Sequence, residues 1–124
     1  MDRIFQQTYL IPGTLSADVN IRFAAPFDMT LLHVSACGSN ANDGLLTIGD
    51  DSDADEYLTS SAIGDSNTPA VFDGNDFVDT SGNSHGRYYP RIEAGGIVAI
   101  ALDHDGDGGT ATDDFTLVLT FAEG

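Results

Sequence analysis

Residues 103–114, Asp103-His104-Asp105-Gly106-Asp107-Gly108-Gly109-Thr110-Ala111-Thr112-Asp113-Asp114, are the one stretch of this chain in which residue type and spacing together suggest chemistry. Carboxylates at alternate positions, followed by a glycine that permits a sharp turn, can converge on a hard divalent cation such as calcium. A second acidic run, Asp50-Asp51-Ser52-Asp53-Ala54-Asp55-Glu56, also alternates carboxylates but lacks the glycine needed to fold them around one ion, and reads as a solvated loop. Should both runs lie at one end of the fold, they could share a cation.

Nothing else assembles a reaction centre. His33, His85 and His104 are too far apart in sequence to suggest a zinc site. Ser84 beside His85 is a loop dipeptide, because a triad is defined by spatial geometry. No catalytic residue is assigned, and the chain does not read as an enzyme. Arg87, Tyr88, Tyr89 and Arg91 form the one basic and aromatic patch, a combination enriched where proteins bind partners or sugar rings. The same residues would equally serve as a loop anchored by tyrosine packing.

The acidic loop resembles the twelve-residue calcium loop of the EF-hand and related Asp-x-Asp-x-Asp-Gly families, over residues 103–114 only. The resemblance implies Asp103, Asp105 and Asp107 as side-chain ligands, Gly108 as the turn, Gly109 as a carbonyl ligand and Asp114 as the closing carboxylate. The chain departs from the pattern in closing with Asp114 where Glu is usual, in carrying Ala111 at the water-bridging position, and in having strand-like flanks. Without an ion, the same residues supply turn geometry and solubility at a loop tip.

Composition bounds the rest. At 124 residues and 41% hydrophobic content, one compact domain over 1–124 is expected. Cys37 is the only cysteine, so no internal disulfide forms; at the end of an apolar run it reads as a buried, inert thiol. The opening residues lack a secretory signal pattern, and no apolar run approaches the roughly 20 residues of a membrane-spanning helix. Synthesis in the cytoplasm and no membrane partner are expected. Twenty acidic residues stand against four arginines and no lysine, a formal net charge of −16. Nucleic acid is disfavoured as a partner, since its binding rests on cationic side chains displacing counterions.

The elements that must position these residues are short alternating segments separated by Gly, Pro, Asn and Asp, the pattern of an all-β sandwich or barrel. Strands are expected over 4–11, 18–24 (Val19, Ile21 and Phe23 on one face), 29–36 (Leu32 and Val34 inward, His33 outward) and 44–49 (Leu46 and Ile48 inward). Apolar islands at 57–58, 70–72 and 77–78 pin a loop-rich middle. Residues 96–102 are apolar on both faces, as in a central or covered strand. Residues 115–121 alternate cleanly, with Phe115, Leu117, Leu119 and Phe121 on one face. These last two runs read as the arms of one hairpin with the acidic loop at its tip.

Taken together, Phe5-Gln6-Gln7-Thr8-Tyr9-Leu10-Ile11-Pro12-Gly13, Ala25-Pro26-Phe27-Asp28-Met29-Thr30-Leu31, Gly95-Gly96-Ile97-Val98-Ala99-Ile100 and Leu117-Val118-Leu119-Thr120-Phe121 resemble small β-sandwich proteins of tailed bacteriophages. The resemblance implies a single antiparallel, jelly-roll-like β-sandwich serving as a virion component, in particular a head decoration or capsid cement protein. It also implies a homo-oligomer, a trimer in first instance, bound to the major capsid protein or other virion subunits at the particle surface. The competing expectation is a calcium-dependent carbohydrate-binding or adhesion module of a fibre, using the acidic loop and the nearby tyrosines.

Overall fold

The structure is a computed structural model that describes residues 3–79 and 87–124. His85 and the Ser84-His85 dipeptide lie outside the described residues. Nine strands are assigned among those described: β1 (Ile4–Thr14), β2 (Val19–Ala24), β3 (Met29–Cys37), β4 (Leu45–Gly49), β5 (Leu58–Ala62), β6 (Ala70–Phe72), β7 (Arg91–Ile92), β8 (Ile97–Asp103) and β9 (Asp113–Glu123). They form two antiparallel sheets, β1-β9-β3-β6 with β7 also on β3, and β2-β8-β4-β5.

The strand order has a simple origin. β4 pairs β5, β3 pairs β6, β2 pairs β8 and β1 pairs β9, so the chain doubles back on itself as one long antiparallel ribbon. Rolling that ribbon brings β9 against β3 and β8 against β4, which closes the two sheets. This is the jelly roll, an arrangement of two four-stranded sheets that limits exposed edges. β7 is an added two-residue strand, too short to leave an alternation of its own.

The alternation in the sequence is realised in the packing. Leu46, Ile48, Phe115, Leu117, Leu119 and Phe121 are fully buried between the sheets, while Val19, Ile21 and Phe23 turn inward from β2 as Asn20 and Arg22 face solvent. Phe121 stacks on Phe5 at 5.4 Å between ring centroids and meets the edge of Phe23 at 6.2 Å, so one aromatic cluster ties the sheets together. β8 is central in its sheet, bonded to β2 and β4; Val98, Ile100 and Leu102 face the core, and its alternate residues include the small Ala99 and Ala101. Phe77 is a buried anchor in the long connection and belongs to no strand.

Two expectations are corrected. β8 and β9 are not arms of a hairpin: they lie in different sheets, and the acidic loop carries the chain across the sandwich. Both segments find partners earlier in the chain, β2 and β4 for one, β1 and β3 for the other, and strands saturated on both sides have no edge left for each other. In β3 the inward residue is Leu31, fully buried, and not Leu32. The register slips by one residue between Leu31 and His33, so Leu32 is the extra residue of a bulge and the inward phase changes from Met29 and Leu31 to Val34 and Ala36.

Candidate functional site

Because strands alternate in direction, the loops fall at two ends. One end gathers the β1–β2, β3–β4, β5–β6 and β8–β9 connections. It carries Asp18, Asp43, Asp65, Asp103, Asp105, Asp107, Asp113 and Asp114, and no arginine. The 50–56 run lies at the opposite end, beyond β4, together with Arg3, Arg87 and Arg91. The two acidic runs therefore cannot share an ion.

The 104–112 loop is held chiefly by its own backbone and by Asp43. Asp43 Oδ2 accepts the Thr110 N–H at 2.7 Å, and its own N–H donates to the Thr110 carbonyl at 2.9 Å. Gly106 adopts φ +62° and lies so close to the Asp43 carbonyl that a Cβ would collide with it, so both conformation and approach require glycine there. Beneath the loop, Thr112 is fully buried and donates its hydroxyl to the His104 carbonyl at 3.0 Å.

The carboxylates suggested by the calcium-loop resemblance do not all come together. Asp103 Oδ1 and Asp105 Oδ1 both receive the Asp107 N–H, at 3.3 and 3.1 Å. The Gly109 N–H donates to the Asp105 carbonyl at 2.7 Å. Asp114 turns the other way, accepting the Gly13 N–H and the Ser39 hydroxyl, each at 2.7 Å. Those two bonds hold its carboxyl below the usual carboxylate range.

What does converge is Asp18, Asp103 and His104, with one ligand atom from each within 4.8 Å of the others. His104 Nδ1 lies 2.7 Å from Asp18 Oδ1, and Nε2 lies 3.7 Å from Asp105 Oδ2. The hydrogen bond to Asp18, aided by the charges of Asp105, Asp18 and Asp103, raises the imidazole above its ordinary value despite partial desolvation; the same bond lowers Asp18. Calcium takes six to eight oxygens. Two carboxylates and an imidazole alone do not make that set, and the imidazole Nδ1 is engaged with Asp18 Oδ1. Asp18 and Asp43 escaped sequence reading because they reach the loop from two other connections; Asp43-Gly44 carries only a turn signal.

At the opposite end, the Arg87 guanidinium contacts the Tyr89 hydroxyl at 3.5 Å, and the Tyr89 ring lies over Gly74. The Tyr88 N–H donates to the Gly74 carbonyl at 2.8 Å. Arg91 is drawn to Asp28 at 3.0 Å and to Glu93 at 3.7 Å. These four residues thus line one side of the long connection, with Arg91 already neutralised within the chain. Cys37 is half-buried, and desolvation raises its thiol.

No protein family description matches this chain, and no curated protein matches it. Among solved structures, a chain of the cyanophage Pam1 capsid asymmetric unit superposes with a TM-score of 0.53 at 16% identity, over 96% of this chain and 82% of that one. A chain of infectious bursal disease virus, Gx strain, aligns over 100% of this chain and 39% of that one at 14% identity, with a TM-score of 0.28, too low to carry an argument. The Pam1 likeness is one of fold alone, and it extends over almost the whole of this chain.

Proposed function

We propose that this protein is a non-enzymatic structural component of a bacteriophage virion, attached to the outside of the capsid as a decoration, or cement, protein. The observation that carries this reading is the fold match to a chain of a cyanophage capsid asymmetric unit, which spans 96% of this chain and 82% of that one. The distribution of charge supports it. Every acidic residue among those described lies in a loop or at or next to a strand end, leaving strand interiors whose outward faces are mostly uncharged, Ile4, Gln6, Thr8 and Leu10 on β1 among them, with Arg22 the exception on β2. Such faces suit extended, flat contacts with neighbouring subunits, and many weak contacts made at once resist displacement.

In this reading the protein is made in the host cytoplasm and meets the major capsid protein or another virion subunit at the particle surface. Co-sedimentation tests it. Added to purified capsids that lack it, the protein is expected to bind to saturation at a fixed ratio to the shell subunits and to raise the temperature at which the particles rupture. Absence of particle binding together with saturable binding on a glycan array would reject the decoration role in favour of the adhesion module.

A further inference from the structure

The long edge of the first sheet is built to pair. We propose that β1 is a self-association edge, through which two copies of this chain join their sheets antiparallel about a two-fold axis. Natural sheets disarm their edges by shortness, charge or proline. The other edges here follow that rule: β6 has three residues, β7 two and β5 five, and β2 presents Arg22 at its centre. β1 does the opposite. It is an 11-residue strand whose first eight residues, 4–11, carry no charge in a chain of net charge −16; its one proline, Pro12, stands beyond that run, where the register with β9 breaks.

Its free side can be identified. Glu123 N–H donates to the Arg3 carbonyl at 2.8 Å, which fixes the parity of the ladder. Phe5, Gln7, Tyr9 and Ile11 exchange bonds with β9, and Ile4, Gln6, Thr8 and Leu10 turn their N–H and C=O groups to the open edge. Ile4 and Leu10, 65% and 63% exposed, are the two most exposed large apolar side chains among the described residues. They stand at the two ends of this neutral segment.

The occupant that fits is a second copy. Centring an antiparallel pair on Gln7 sets Ile4 opposite Leu10 of the other chain and Gln6 opposite Thr8, at both halves of the interface. All four edge-facing residues then lie in hydrogen-bonded pairs, giving about eight backbone bonds. The register also covers each exposed apolar side chain with its counterpart, as cross-strand pairing favours. Charge points the same way. Docking by either loop end would bring acidic clusters together, whereas this edge brings none between the chains.

The pairing is a property of the edge and stands or falls independently of the capsid reading. Sedimentation equilibrium of the free protein should give about twice the 13.0 kDa chain mass. Thr8→Pro removes an N–H that faces the open edge and not β9, so it should leave the circular dichroism spectrum in place and abolish the dimer. The register has its own readout. Gln7→Cys, in a Cys37→Ser background, puts the two thiols at a non-hydrogen-bonded pair with Cα atoms about 4.5 Å apart, within disulfide reach, and should cross-link on mild oxidation. A monomer at all concentrations would overturn the proposal. So would a trimer or other oligomer of unchanged mass in Thr8→Pro, or a Gln7→Cys variant that stays uncross-linked.

Discussion

At the scale of single residues, the acidic end is organised by two polar anchors. His104, its folded-state value raised above the ordinary 6.5, contributes stability that is complete below 6.5 and is lost as pH rises through the raised value. Asp18, lowered below 3.8, contributes stability that is present above 3.8 and is lost as pH falls through its lowered value. The pair therefore supports the fold best between about pH 4 and 6.5, with its effect limited by solvent at the exposed Asp18. An NMR titration should find His104 above 6.5 in the wild type and closer to 6.5 in Asp18→Asn. An imidazole that titrates identically in both would remove the ion pair from the account. The buried Thr112 hydroxyl is a separate test: Thr112→Val keeps the shape but deletes the bond to the His104 carbonyl, and should cost about 1–2 kcal/mol in urea unfolding.

At the scale of elements, the sequence makes local pattern legible and leaves pairing hidden. Alternation of apolar side chains located β2, β4 and β9, since a strand half-buried in a sandwich must bury every second residue. The same logic could not see that β8 and β9 separate into different sheets, because a strand's neighbours are chosen by partners far away in the chain. A bulge defeats it more directly. Reading β3 as one unbroken period puts Leu32 inside, while the slip between Leu31 and His33 puts Leu31 there. The candidate site was hidden likewise: Asp103 to Asp114 could be read as an ion loop or as a solvated loop tip, and neither reading could show that Asp43 and Asp18, from other connections, hold the loop or that Asp114 bonds Gly13 and Ser39. Truncation separates the two readings of β3. Leu31→Ala should cost about 2–5 kcal/mol as a core cavity, and Leu32→Ala under about 1.5 kcal/mol, measured by chemical denaturation. The reverse order would mean that the strand has no bulge.

For the whole molecule, the governing fact is a net charge of −16 divided between the two loop ends of the sandwich. At low ionic strength, screening reaches about 30 Å, so each acidic end repels itself across its full width; at 1 M the reach falls to about 3 Å. The thermal midpoint should accordingly rise with added sodium chloride. Calcium relieves the same repulsion without needing a site, which makes ionic strength the decisive control. A tight site filled to 100 times its Kd would add about 2.7 kcal/mol, several degrees in a domain of this size. In this fold Asp114 is committed to Gly13 and Ser39, and Asp103 and Asp105 accept the Asp107 N–H. Calcium and magnesium at matched ionic strength should thus shift the midpoint equally. A calcium-specific rise of several degrees, abolished by Asp103→Asn, would show instead that the loop rearranges around an ion and that metal binding shapes this end of the molecule.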